Sequence, residues 1–315
     1  MSQAPASQDR VSQQPSAAPA VVNADWLLLV LLSLVWGASF IFIGIAVKEL
    51  PTPLIVFVRV GLAALILLPV HWFWQGALPS DARSWISFAG VSLTNNIIPF
   101  SLITYGQHTI TASLASVLNA TTPFFGLLVM ALAGAEALTG RKIAALLLGL
   151  AGVAVLRGVN FTDLNQETLG ILACLAASLS YGVGSLWQKK RLMGVPPMTT
   201  ATCQLVCSTL VMAVISFAMS SPSQLASVSG SAWFALILLA AISTSFAYLL
   251  FFKIISRSGP MAANLVTMMI PISAIVMAAL WLGERITTQE VAGALIIGLG
   301  LVVYDGRLLD RFRKA

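Results

Sequence analysis

Charged side chains are scarce in this sequence. Asp, Glu, Lys and Arg together make up 9% of its 315 residues, and 58% of the residues are hydrophobic. Soluble proteins carry roughly 25% charged residues, so this chain has too little polar side chain to cover a water-soluble globule. The composition therefore excludes an ordinary soluble protein and indicates that most of the chain faces lipid.

Cysteine is also scarce, and the motifs of nucleotide-driven or hydrolytic chemistry are missing. Cys174, Cys203 and Cys207 are odd in number and lie in apolar runs, so we expect small buried thiols and no disulfide framework. The sequence has no G-x-x-x-x-G-K-[ST], no G-x-S-x-G, no H-E-x-x-H and no Cys/His cluster. These absences disfavour an ATP-driven pump and a membrane-embedded enzyme, and we expect no metal or other cofactor.

Long apolar segments follow one another from Trp26 to Tyr304. Residues 1–25 differ, because they are rich in Ser, Gln, Ala and Pro and are predicted to form a disordered tail rather than a signal peptide. Most segments have the roughly 20 residues of a spanning helix, and in lipid a helix satisfies its own backbone amides. We predict an all-α integral membrane protein with ten transmembrane helices, at 26–47, 53–74, 85–105, 112–133, 143–156, 169–188, 198–219, 232–252, 262–282 and 291–304.

Lysine and arginine are distributed unevenly between the two ends of these segments. With the loops numbered from the N-terminus, one side receives 13 of the 17 basic residues, the other receives 3, and Arg59 lies inside the second segment. The positive-inside rule then places both termini in the cytoplasm. The same bias accounts for the high isoelectric point, so we expect no nucleic-acid partner.

Two stretches of the sequence repeat each other. PFFGLLVMALAGAE at 123–136 matches PISAIVMAALWLGE at 271–284, an offset of 148, and SLVWG at 33–37 matches SLSYG at 178–182. Each half therefore holds five helices. Because five is odd, the second half enters the membrane from the opposite face, and the halves are predicted to be inverted repeats.

Pairs of aromatic, proline and charged residues occur in a fixed order: Trp36-Gly37 with Phe40, Pro53 with Arg59, Pro123 with Glu136, and Pro271 with Glu284. Together they resemble the EamA-type pattern of the drug/metabolite transporter superfamily, over nearly all of 26–304. The resemblance implies a ten-helix inverted-repeat exporter with a central cavity between its halves. Members move amino acids, other metabolites or toxic compounds, so the family alone does not select a substrate.

The resulting organisation has four parts. A cytoplasmic tail (1–25) precedes a first EamA-like repeat (26–160), which is followed by a second repeat (161–306) and a basic cytoplasmic tail (307–315). We expect a multi-pass protein of the inner or plasma membrane whose partners are a small-molecule substrate and the bilayer, with a homodimer left open. Glu136 and Glu284 fall at opposite membrane boundaries, where a polar helix end and a transport role are both open.

Polar residues recur near the proline of the fourth segment. Ser116, Asn119 and Pro123 are spaced i, i+3 and i+7, so they share one helix face. Asn264, Thr267 and Pro271 repeat this stripe in the ninth segment, which makes a six-residue set. Pro-interrupted helices at matching positions point to a transporter's central site. The alternative is that the polar residues hold helices together and the prolines only kink them.

Other segments add further candidates. Adjacent amides in the third segment are costly in lipid unless they face water or partners, and Arg59 is either a functional charge or a structural one that snorkels or holds free carbonyls. The aromatic residues of the first and sixth segments either line a cavity or pack. The candidate substrate-binding residues are Trp36, Arg59, Asn95, Asn96, Ser116, Asn119, Pro123, Tyr181, Ser243, Thr244, Asn264, Thr267 and Pro271.

The charges within the segments limit the substrate. Multiply anionic ligands call for several basic groups, and only Arg59 lies well inside a segment. Cationic ligands usually need a carboxylate or an aromatic cage, and the carboxylates here lie at segment ends. We therefore expect transport, most usefully export, of neutral or zwitterionic metabolites such as amino acids by alternating access. Efflux of amphiphilic drugs is the alternative, and a membrane-embedded enzyme or a channel represents a different class.

Overall fold

The computed structural model describes residues 23–157, 165–258 and 260–306, and the side chains of 26–156, 165–257 and 266–306. The predicted tails fall almost entirely outside these ranges. All regular secondary structure in the described part of the chain is helical, so the predicted all-α class is confirmed. The helices are α1 Asn23–Ala46, α2 Thr52–Gln75, α3 Ala82–Gly106, α4 Ala112–Leu132, α5 Gly140–Arg157, α6 Gln166–Arg191, α7 Pro197–Met219, α8 Gly230–Arg257, α9 Pro260–Met277 and α10 Thr288–Asp305.

Eight of these helices are long and apolar enough to cross a membrane, and α5 and α9 are the exceptions. The described side chains of α9 begin at Val266, and the apolar helix from there runs to Leu282. The structure thus describes a multi-helix membrane protein, while ten crossings stay a prediction. The cysteines are free, as expected, and Cys207 is only half-buried.

Two of the three π-helical turns in the described residues lie at equivalent places in the two halves, and the third spans Ala278–Leu282 after α9. The equivalent turns span Leu93–Ile97 in α3 and Ala241–Phe246 in α8, and each begins at the same point of the 148-residue offset. A π turn disturbs the regular i→i−4 bonding of the helix. In α8 the Thr244 hydroxyl donates to the Leu239 carbonyl (2.8 Å) and the Ser245 hydroxyl donates to the Ala240 carbonyl (3.0 Å).

The prolines of the two halves act differently. In α4 the helix is interrupted at residues 120–121 and restarts with Pro123 in its first turn. The Thr122 hydroxyl donates to the Asn119 carbonyl (2.7 Å), which is the acceptor that Pro123 leaves without an amide donor. Pro271, by contrast, lies inside the continuous helix α9. A neighbouring hydroxyl thus replaces the amide donor that Pro123 lacks.

Two carboxylates tie the halves together on the face that carries the connections after α1, α3, α7 and α9. Glu284 accepts hydrogen bonds from the Ala112 amide (2.8 Å), the Ser113 amide (3.0 Å) and the Ser113 hydroxyl (2.6 Å) at the start of α4. Glu49 accepts from the amide (2.7 Å) and hydroxyl of Ser229 at the start of α8. These hydrogen bonds lower the pKa of the exposed Glu49 carboxyl. An anion is also stabilised at a helix N-terminus by the helix dipole.

Glu136 lies at the other membrane boundary and has a local partner. Its carboxylate forms a 2.7 Å ion pair with Lys142, and both side chains are partly exposed. Pairing at a polar helix end was one of the two interpretations left open for the glutamates. The structure gives both Glu136 and Glu284 a structural partner.

Helices of the first half pack against helices of the second. The main partners are α5 with α10, α3 with α6, α4 with α6, α1 with α8, α1 with α9, and α2 with α7. Gly37 of α1 lies against Ser273, and Gly182 of α6 lies against Phe125, so a side chain at either glycine would overlap its neighbour. Small residues at such crossings let two helix backbones approach closely in lipid.

Helices α5 and α10 approach each other most closely at a pair of glycines. A Cβ atom on Gly152 would lie 2.9 Å from the Gly293 carbonyl oxygen, and one on Gly293 would lie 2.8 Å from the Gly152 carbonyl oxygen. Neither oxygen belongs to a side chain that can turn away. The backbones themselves therefore set this contact.

We predict that Gly293→Ala lowers the stability of the protein by about 1–3 kcal/mol, since the new methyl group forces α5 and α10 apart. Gly298→Ala is the matched control on the same helix, because nothing lies within 4 Å of its added methyl group. The melting temperature of both variants in detergent is the measurement. Equal melting temperatures for the two variants would show that the close approach does not limit stability.

Candidate functional site

A cavity of about 560 Å³ lies between the two halves. Eight helices line it, and only α5 and α10 of the helices above make no contribution. Both halves therefore share one internal space, as a central site between repeats requires. The polar and aromatic residues that line it are Trp36, Ser39, Phe40, Arg59, Asn95, Phe100, Asn119, Thr122, Tyr181, Ser185, Gln188, Thr200, Gln204, Ser243, Thr244, Tyr248, Phe251, Phe252 and Thr267.

The cavity reaches the surface on one face only of the described structure. Its lining extends to Gln188 near the end of α6 and to Val195 and Pro197 between α6 and α7, where Pro197 is exposed. Towards the opposite face the lining ends at Ile43 and Ile103, which are buried. The closed end faces the side on which Glu49 and Glu284 join the halves.

Arg59 is a buried cation in the wall of this cavity. Its side chain is 7% exposed, its Nε donates to the Thr244 hydroxyl (3.1 Å), and its guanidinium carbon lies 3.5 Å from the centre of the Phe100 ring. The lining contains no carboxylate, and among the described residues none forms an ion pair with Arg59. A cation–π contact compensates only part of the cost of burying a charge.

A closed ring of hydrogen bonds joins α3, α7 and α8 beside the cavity. The Gln204 Nε2 donates to the Tyr248 hydroxyl (3.1 Å), which donates to Asn96 Oδ1 (3.2 Å). The Asn96 Nδ2 donates to the Ser208 hydroxyl (3.0 Å), which donates to the Gln204 carbonyl (2.7 Å). Ser92 completes the group through a 2.8 Å hydrogen bond to Ser208. Such a network is stable in lipid because its members satisfy one another.

Three side-chain oxygens of the lining are buried without a hydrogen-bond partner: those of Asn95, Asn119 and Gln204. The Asn95 oxygen packs against Gly184, where a side chain would overlap it. Buried acceptors without donors are rare in folded proteins and call for an explanation. Here the missing donors can be water or a ligand in the cavity.

Aromatic rings form about half of the apolar lining. Trp36 and Phe251 lie 5.4 Å apart between ring centres, and Tyr248 stacks with Phe252 at 5.9 Å. Tyr181 reaches the cavity from α6. The rings that we expected either to line a cavity or to pack do both.

The structure brings together eight of the thirteen candidate residues. Ser243 and Thr244 are among them, but the Ser243 hydroxyl also donates to the Val35 carbonyl (2.7 Å) and so ties α8 to α1. The residues of the set that line the cavity are Trp36, Arg59, Asn95, Asn119, Tyr181, Ser243, Thr244 and Thr267.

Four candidates do not line the cavity. Asn96 is fully buried in the hydrogen-bond ring, and Ser116 is fully buried with its hydroxyl donating to the Ser113 carbonyl (2.7 Å). Pro123 and Pro271 shape α4 and α9 without reaching the lining. Asn264 belongs to α9, but its side chain lies outside the described residues.

Sequence reasoning missed Gln204, Phe100 and Phe251 as lining residues. Gln204 is the one side-chain amide of the seventh segment, and the cost of burying an amide in lipid was the available signal. The two phenylalanines had no such signal.

Known proteins of similar sequence share this architecture. The EamA-like transporter family matches residues 25–158 and again residues 168–304. The chain belongs to this family. Its relatives include a protein named as a probable amino-acid metabolite efflux pump of Escherichia coli (strain K12), which is 26% identical over 302 residues covering 92% of this chain and 97% of the relative. The protein of the same name in Salmonella typhimurium is 24% identical over 290 residues, covering 89% and 94%.

Two further comparisons agree with this membership. The uncharacterized transporter YoaV of Bacillus subtilis is 23% identical over 274 residues, covering 87% of this chain and 94% of that protein. A crystal structure has the same fold, with a TM-score of 0.66 at 17% identity over 93% of this chain and 99% of the other. Family and relatives together identify this protein as a membrane transporter.

The two amides Asn96 and Asn119 provide a matched pair for testing the ring. We predict that Asn96→Leu lowers stability by about 1–3 kcal/mol, because it removes one hydrogen bond from Tyr248 and one from Ser208 inside the protein. Asn119→Leu removes a side-chain oxygen that has no partner, so its melting temperature should stay near that of the parent protein. Melting of both variants in the same detergent is the measurement, and a larger loss for Asn119→Leu would contradict the assignment.

Proposed function

We propose that this protein moves small neutral or zwitterionic metabolites, such as amino acids, across the cell membrane by alternating access. The observation that carries the proposal is the single cavity lined by both halves, with one buried cation, several amides and hydroxyls, and many aromatic rings. A site at the boundary of two repeats is accessible from either side when one half rocks against the other.

The inverted repeat is part of the proposal, and the packing supports it. If α1–α5 correspond to α6–α10, exchanging the halves turns the α1–α9 contact into the α6–α4 contact and maps the α2–α7 and α5–α10 contacts onto themselves. The π turns of α3 and α8 are also equivalent under this exchange. We therefore propose ten crossings, in two five-helix repeats that span 26–160 and 161–306.

The proposed direction is outward. The bias of basic residues places both termini, and the open end of the cavity, in the cytoplasm, and two relatives are named as probable amino-acid metabolite efflux pumps. Proton-coupled carriers usually have an intramembrane carboxylate, whereas the cavity lining has none. We propose facilitated or weakly coupled movement down a metabolite gradient in the inner or plasma membrane.

Efflux of amphiphilic drugs is the second candidate, and the aromatic lining favours it. Flat apolar compounds bind well between aromatic rings. The amides and the buried cation favour a smaller polar substrate, because an apolar drug would leave them unpartnered. An enzyme or a channel is a weaker alternative, since family and relatives are named as transporters.

Flux from vesicles distinguishes these functions. Purified protein in liposomes loaded with radiolabelled neutral amino acids should release them at a rate that saturates with substrate, and an imposed pH gradient should drive little accumulation. Protein-free vesicles of the same lipid composition provide the control for nonspecific leakage. Non-saturating flux would indicate a channel, chemical change of the substrate would indicate an enzyme, and flux of ethidium without amino-acid flux would favour the drug alternative.

The carboxylate contacts of the closed face generate a second prediction. Glu284→Gln weakens the cap on α4, so the face near Glu284 should open more often. We expect a several-fold faster reaction of Ser39→Cys, a cavity residue, with an impermeant maleimide added outside intact cells. Each labelling rate is compared with that of the parent chain, which contains only its native cysteines.

Glu290→Gln is the matched control for this prediction. Glu290 lies near Glu284 but forms a capping box with Thr287 within its own helix, so its replacement breaks no contact between the halves. An equal rise in labelling for both variants would indicate general loosening. No change for Glu284→Gln would show that its cap does not hold this face closed.

A further inference from the structure

We infer that Arg59 and Gln204 each bind one end of a zwitterionic substrate. The transported substrate then carries a carboxylate and an ammonium group on one small framework. The inference rests on the proposed transport function and deepens it by assigning each charged end of the substrate to one side chain. Arg59 and Gln204 are 7% and 3% exposed, and both line the cavity.

Arg59 supplies the donors for the carboxylate. Its Nε donates to Thr244, and the face of its guanidinium lies over the Phe100 ring. These two contacts hold the guanidinium plane in place. Its two terminal nitrogens make no hydrogen bond to the described residues. A guanidinium presents such nitrogens in a fork that matches a carboxylate with two parallel bonds. A bound carboxylate would also supply the counter-charge that the lining lacks.

The hydrogen-bond ring engages one end of the Gln204 side-chain amide. Ser208 donates to the backbone carbonyl of Gln204, and its oxygen accepts from Asn96 Nδ2. The Asn96 oxygen accepts from Tyr248, and the Tyr248 oxygen accepts from Gln204 Nε2. This arrangement leaves Gln204 Oε1 as a buried acceptor without a donor.

An ammonium group is the ligand that meets this acceptor. It offers three N–H donors and accepts none, and it also suits the unpartnered oxygen of Asn119 in the same lining. Aromatic rings near the acceptor add cation–π attraction. A carboxylate in this position would bind cations generally. An amide oxygen attracts an ammonium group more weakly, so tight binding also requires the substrate carboxylate at Arg59.

The two subsites are held by neighbouring turns of one helix. Arg59 is anchored by Thr244 and Gln204 by Tyr248, and these anchors are four residues apart on α8. Four residues correspond to about 6 Å along a helix axis. Thr244 lies within the π turn that ends at Phe246, and Tyr248 follows that turn.

The test uses ligands that lack one end at a time. The probes are L-phenylalanine and L-leucine, their amides, which lack the carboxylate, and 3-phenylpropionate and 4-methylpentanoate, which lack the ammonium group. Binding is measured by titration calorimetry on the full-length protein in detergent. We expect each amino acid to bind at least about tenfold more tightly than either of its analogues, the loss typical of one hydrogen bond to a charged group.

Substitutions in the protein should remove this discrimination one end at a time. Arg59→Gln should weaken amino-acid binding about tenfold and leave the amide analogues unchanged. Gln204→Leu should weaken the amino acids and leave the carboxylate analogues unchanged. Gln204→Glu should raise the affinity for the amide analogues several-fold, a gain that a misfolded variant cannot produce. Thr209→Val, a change on α7 outside the cavity lining, is the control.

The outcomes separate the subsites from the transport function. If the vesicles release amino acids and Arg59→Gln still discriminates against the amides, the carboxylate subsite is wrong and the transport function stands. If Gln204→Leu still discriminates against the carboxylate analogues, the ammonium subsite is wrong. If the native protein binds neither amino acid, the inference fails, and absent amino-acid flux in vesicles would overturn the proposed function as well.

Discussion

The low dielectric of the bilayer is the constraint on which the rest of this structure depends. A polar group in hydrocarbon without a partner costs several kcal/mol, so backbone amides are satisfied within helices and buried side chains within networks. In α8 the hydroxyls of Thr244 and Ser245, which lie in the π turn, donate to the Leu239 and Ala240 carbonyls. The Asn119 carbonyl below Pro123 is satisfied by Thr122 in the same way. Irregular backbone is thus tolerated where a neighbouring hydroxyl replaces the missing donor.

The same constraint explains how the helices associate. Lipid is as apolar as leucine, so close packing and polar contacts hold membrane helices together. Glycines provide the close packing where α5 meets α10, α1 meets α9 and α6 meets α4. Carboxylates at helix N-termini provide the polar contacts at the closed face. Both kinds of contact join one half of the chain to the other, at the interfaces that alternating access would have to rearrange.

The cavity departs from this pattern, because polar groups there remain unsatisfied. No described residue forms an ion pair with Arg59, and Gln204 and Asn119 each have an oxygen without a donor. A substrate can form hydrogen bonds to these cavity-facing atoms, which have no partner within the protein. Burying them without a partner costs free energy in the empty protein, and substrate binding removes that cost.

Much of the fold was predictable from the sequence. Composition and segment length determined an all-helical membrane protein, because burial in lipid leaves few alternatives to the helix. The 148-residue offset predicted that the region of Asn95 and Asn96 corresponds to that of Ser243 and Thr244, and π turns occur at both places. Periodicity also predicted that Asn119 and Thr267 share a site. These features are local or repetitive, so they leave a record in the order of residues.

Only the tertiary structure decided which polar side chain has a partner. Asn95 and Asn96 are adjacent and chemically identical, yet Asn95 lines the cavity while Asn96 lies among Ser208, Tyr248 and α7. The partner of Gln204 is 44 residues away, and nothing in either segment records that contact. Helix periodicity specifies a face relative to the same helix, whereas the neighbour of that face depends on how all the helices pack together.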